Sequence, residues 1–137
     1  MRTPEELLLE LKKHLEGLFQ FVSITAAQIS EQIQQEVRSC GKHRLPAVLI
    51  VFDRSGYIEM NTINELSVTL VVVDSFIAGI DAMAMKSLKN MGVLQQLFPP
   101  EGCKIGGAFC TPGTCYPASA DATFVCFSQE LTLRQGV

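Results

Sequence analysis

The chain has 137 residues, 47% of them apolar and 18% charged, with a net charge of −3. That length suits one domain with a real core, the composition excludes a disordered chain, and the charge offers no general attraction to nucleic acid or anionic lipid. No stretch reaches the ~18 consecutive apolar residues of a membrane-spanning helix, and Glu5, Glu6 and Glu10 stand where a secretory signal would be basic and then apolar. A protein made and kept in a cytosol is expected.

Thr3-Pro4-Glu5-Glu6 is a helix start, with Thr3 as N-cap, Pro4 in the first turn and Glu6 closing a capping box. Leu7, Leu8, Leu11, Leu15 and Leu18 then recur at helical spacing, and His14 falls beside the polar face. Phe19 to Ile24 suits either a short edge strand or the bend between two helices. From Thr25 the spacing of Ile29, Ile33 and Val37 predicts a second helix lying on a sheet, ended by Gly41. Arg38, Lys42, His43 and Arg44 cluster without interleaved aromatics, which reads as a solvated turn.

Leu45 to Phe52 and Glu65 to Val73 are the most apolar, β-branched runs and predict strands. Asp53-Arg54-Ser55-Gly56 reads as the turn between them, followed by a further short strand from Tyr57 to Ile63. Short connections allow only antiparallel neighbours, so an antiparallel meander is expected. Val48, Ile50, Leu70 and Val72 are its expected core. Residues 80 to 98 form a third helix with Ile80, Ala84, Leu88, Met91, Leu94 and Phe98 inward, stopped by Pro99-Pro100. Residues 101 to 121, rich in Gly, Pro, Ser and Thr, read mostly as loop, with a possible strand at Ile105 to Cys110. Pro112-Gly113 suits a type II turn that would let Cys110 and Cys115 face each other. Ala122 to Leu133 alternates as a last strand, with Val125, Phe127, Leu131 and Leu133 on one face. Together these elements predict a single α+β domain over residues 1–137. Its antiparallel sheet has about four to five strands, with helices packed mainly on one face.

Chemistry is sparse. Gly106-Gly107 lacks the frame of a phosphate loop, and neither histidine sits in a nucleophile or zinc motif. The five cysteines are odd in number and contain no C-x-x-C, so reduced thiols without metal are expected. Cys103, Cys110 and Cys115 are nucleophile candidates by type only, since no activating base is identifiable. No catalytic, cofactor or metal residue is assigned. Glu59, Glu65, Asp74 and Asp81 make an acidic rim in a stretch free of Lys and Arg, and such asymmetry can orient one copy against another. The strands are apolar on both faces, and three helices are too few to cover both. The face carrying Ser67, Thr69, Val71 and Val73 is therefore the candidate oligomer interface.

The element order resembles the tail terminator (tail completion) proteins of long-tailed bacteriophages, most closely the group from Mu-like phages and prophages. Leu45 to Phe52, Glu65 to Val73, Gly79 to Phe98 and Ala122 to Leu133 carry the likeness. The resemblance implies a non-enzymatic virion protein whose ring, commonly six-fold, caps the tail tube. Its partners would be itself, the tube protein and head–tail connector proteins, without membrane, cofactor or sequence-specific nucleic acid. It would assemble in the host cytoplasm and end in the virion tail. The cysteine-rich stretch 103 to 115 departs from that group. A competing reading is a cytosolic thiol- or metal-binding protein using those cysteines, and a third is a small dimeric scaffolding domain.

Overall fold

The computed structural model describes residues 2–25, 35, 45–75, 80–120 and 124–136. The helix expected around Ile29, Ile33 and Val37, its end at Gly41 and the basic group Arg38 to Arg44 lie outside the described residues. The elements run α1 (Pro4–Glu16), β1 (Phe21–Thr25), β2 (Ala47–Ile58), β3 (Ile63–Ser75), α2 (Ile80–Leu97), β4 (Cys103–Ile105), β5 (Ala108–Ala120) and β6 (Phe124–Gly136).

The six strands form one sheet in the order β1-β2-β3-β6-β5-β4. β1 runs parallel to β2, and every other neighbour is antiparallel. The sheet curls into a half-barrel. This corrects the expected fold of four to five antiparallel strands with helices on one face. The sheet has six strands and one parallel pair, and both of its faces carry buried apolar clusters.

Three bulges explain both the curl and the misreading. A bulge adds one residue to one strand, increases the local twist and reverses which side chains face inward beyond it. On β2, Phe52 pairs with Val68 but Arg54 already pairs with Ser67, leaving Asp53 as the extra residue. Asp53-Arg54-Ser55-Gly56 is thus not a turn, and β2 continues to Ile58. The reversal comes instead at Glu59 to Thr62, where Glu59, Met60 and Asn61 take positive φ. Thr62 closes it by donating to the Glu59 carbonyl from both its N–H and its hydroxyl.

On β5 the register slips between Pro112 and Cys115 and again between Pro117 and Ser119. Pro112-Gly113 is therefore a bulge within a 13-residue strand, where a loop with a turn was expected. The true turn is Gly106-Gly107, both with positive φ, joining β4 to β5 as the mirror-image turn of a two-residue hairpin.

The larger apolar cluster joins Val48, Ile50, Leu66, Val68, Leu70 and Val72 with Phe127, Leu131 and Leu133 of the sheet. Leu7, Leu11 and Leu15 of α1 and Leu94 of α2 enter the same cluster, with Phe98 just beyond α2. The capping box at Thr3 and Glu6 forms as the sequence implies. α1 then packs against β1, β2 and β4, so it spans the two edges of the sheet across the open side of the half-barrel. Leu18, expected inward, is exposed, because α1 ends at Glu16. Among the described side chains of α2, burial falls in the C-terminal half: Asn90 and Leu94 are inside, whereas Ala84 is exposed and Leu88 is 56% exposed. Of the expected inward row, Met91, Leu94 and Phe98 do meet the larger cluster, Ala84 and Leu88 do not, and the side chain of Ile80 lies outside the described residues.

Candidate assembly surfaces and polar clusters

The row Ser67, Thr69, Val71 and Val73 does share one face of β3. Val71 is only 5% exposed and Val73 fully buried, packed with Ala47, Leu49, Val51 and Cys126. Ser67 and Thr69 are half-buried, and the Thr69 hydroxyl donates to Asp53 Oδ2 at 2.6 Å. Hence two of the four candidate interface residues lie inside the chain, and only the bulged end of the row reaches solvent.

The sheet offers other surfaces. β1 pairs with β2 only as far as Val51. Beyond it, Asp53 to Ile58 has strand partners on β3 alone among the described residues, and Asp53 to Tyr57 are all exposed. This ribbon ends in Met60, 97% exposed, with Tyr57 exposed behind it. At the other side of the sheet, the three residues of β4 cover β5 only from Ala108 to Cys110. Thr111 to Pro117 then pair with β6 alone among the described residues. Pro112 and Pro117 fit there because a strand edge tolerates a missing N–H. An apolar groove between α1 and the sheet is lined by Leu8, Leu9, Ile24 and Phe52, with Glu5 at its rim.

The acidic rim is partly neutralised. Glu65 Oε2 accepts from Arg134 Nε at 2.7 Å across β3 and β6. Asp74, at the end of β3, is buried and accepts from Asn90 Nδ2 at 2.8 Å and from the Ser75 N–H at 2.8 Å. Lys86 Nζ lies 3.3 Å from Asp74 Oδ1 and donates to Ser75 Oγ at 2.6 Å. Sequence reading placed Asp74 on an exposed rim; its pairing with Lys86 and Asn90, one helical turn apart on α2, is visible only once α2 is docked. Glu59 stays exposed in the hairpin turn, and the side chain of Asp81 lies outside the described residues.

Cys103, Cys110 and Cys115 all adjoin the larger cluster. Cys110 and Cys115 do not face each other across a turn, because both belong to β5; Cys110 instead pairs with Cys103. Burial pushes all three thiols up, Cys110 to about 12, aided by the neighbouring Cys103. That is opposite to the lowered pKa of an activated nucleophile. Among the described residues no three His, Cys, Asp or Glu side chains come together as a metal site, and no described helix is long and apolar enough to cross a membrane. Against known proteins, the chain matches no family model and no curated protein.

Proposed function

We propose that this chain is a non-enzymatic structural protein of a phage or prophage tail, which joins head-to-tail with copies of itself into a ring closing the tail tube. The observation that carries the reading is the pair of one-sided strand segments, Asp53–Ile58 on β2 and Thr111–Pro117 on β5. A strand with partners on one side is a template for another strand. Two such segments on opposite sides of one domain favour a heterologous contact, and such contacts close into rings when their rotation permits. The charges of Asp53 and Arg54 and the prolines of β5 restrain indiscriminate pairing, which suits a chain that waits for the tube end before closing. The phage assignment rests on the resemblance in element order, since β2, β3, α2 and β6 occupy the stretches that carry it. On this reading the contact lies along the strand edges, and Val71 and Val73 hold the chain itself together. The tube protein and head–tail connector proteins are the partners.

Deleting the gene from the phage or prophage that carries it, and imaging the lysate by electron microscopy, tests the proposal. Tubes lacking a finished end and an attached head are expected, with rescue by the gene in trans. Finished tails joined to heads in the deletion would refute it.

A further inference from the structure

Cys103 and Cys110 stand directly opposite each other across β4 and β5. Opposed residues of an antiparallel pair have Cα atoms about 4.5–5.5 Å apart, inside the range of about 4.4–6.8 Å that a disulfide can bridge. Both side chains turn to the same side, Cys110 within the larger apolar cluster and Cys103 against its border. The two thiols share a hydrogen bond, and Cys103 Sγ also lies 3.6 Å from the Leu97 carbonyl oxygen. Cys115 faces the same cluster, but it lies further along β5, level with Gln129 on β6.

We propose that Cys103 and Cys110 form a redox site, converted reversibly to a cross-strand disulfide by a low-molecular-weight disulfide such as oxidised glutathione. Cys103 acts first because it is half-buried at the sheet edge whereas Cys110 is fully buried. The hydrogen bond from Cys110 also favours the Cys103 thiolate, offsetting part of its burial. The Cys103 thiolate attacks one glutathione sulfur; a mixed disulfide forms, and the other half leaves as a thiolate. Cys110 then loses its proton and its sulfur attacks Cys103 Sγ, releasing the second glutathione thiolate. Two protein thiols are oxidised, one small disulfide is reduced to two thiols, and the protons pass to water. Burial makes the exchange slow, on the minutes-to-hours scale of uncatalysed thiol exchange. The bond ties the three-residue edge strand β4 to β5, and with it the Gly106 turn that lies against Glu10 of α1.

The test incubates reduced, native protein with oxidised glutathione, blocks remaining thiols, unfolds the chain and maps the bridged peptide. The five thiols of the sequence should fall by two, with the bridge at Cys103–Cys110 and reversal by dithiothreitol. Cys115→Ala should bridge as the parent does, and Cys103→Ala should form no bridge. A full thiol count after prolonged exposure, a bridge to any other cysteine, or a mixed disulfide at Cys103 that never resolves would each overturn the proposal. Mapping on the parent chain decides the matter even if a variant fails to fold.

Discussion

Replacing Asp74 with alanine tests how α2 is fastened to the sheet. The carboxylate accepts from the Asn90 amide and the Ser75 N–H, each at 2.8 Å, and faces Lys86 Nζ at 3.3 Å. Its removal strands a buried Asn90 donor and leaves the Lys86 ammonium without its anion. Breaking a buried charged pair costs roughly 3–5 kcal/mol, and hydrogen bonds to a charged group contribute about 1.5–3 kcal/mol. The Lys86 side chain is 24% exposed and keeps Ser75 Oγ as a partner, so the lower end applies. We expect a loss of about 3 kcal/mol in urea unfolding followed by circular dichroism. Asp74→Asn keeps an acceptor for Asn90 while removing the charge, so its loss should be smaller. Combining Asp74→Ala with Lys86→Met should cost less than the sum of the two single changes, by about 1 kcal/mol or more. A loss under about 1 kcal/mol for Asp74→Ala, with strict additivity in the double variant, would show that the cluster does not couple α2 to β3.

Leu70→Ala, at a fully buried position in the interior strand β3, should cost about 2–5 kcal/mol through lost burial and a residual cavity; an unchanged Tm would contradict that placement. Cys110 titrates near 9.0 when unfolded but at about 12 in the fold, through burial first and Cys103 second. The folded state thus keeps a proton that the unfolded chain loses. Stability present below pH ~9 should therefore decline as pH rises toward ~12, by a few kcal/mol at most. Chemical denaturation across that window should show a decline that flattens in Cys110→Ala. Gly106→Ala should cost about 1–2 kcal/mol, because φ is +59° and a Cβ there would lie 2.9 Å from Glu10 Cγ. Glu10→Ala should recover part of that loss in thermal unfolding, and no recovery would place the whole cost in the backbone.

The elements that sequence reading located are those with regular periods. The capping residues Thr3 and Glu6, the two β-branched runs around Ile50 and Leu70, and the stop at Pro99 are local signals that tertiary packing left intact. Misreadings cluster where one inserted residue changes the period. Asp53 and the Pro112–Cys115 segment each reset the alternation, so Cys110 and Cys115 face the same core despite opposite parity. The hairpin turn at Glu59 to Thr62 contains no glycine, so the usual turn signal was missing there. Gly106-Gly107 was a legible two-residue hairpin signal, and reading it as such would have set Cys103 opposite Cys110. Pairing of β3 with β6, and of β1 with β2, depends on long-range register that no local pattern carries.

α1 spanning the two sheet edges has a consequence for the order in which the chain can organise. Its seat is built from β1 and β2 on one side and β4 on the other, and β4 lies far along the chain. The Arg2 backbone is clasped by the Gln135 side chain, 133 residues away. α1 leaves the ribosome well before β4, and is therefore among the last elements to find its full set of neighbours. Closing such distant contacts carries a large entropic cost before any burial offsets it. Until β4 arrives, the leucines of α1 remain incompletely covered, so a nascent chain carries a sticky amphipathic helix while the intervening strands are made. Protection of the α1 amides then reports that the whole half-barrel has come together.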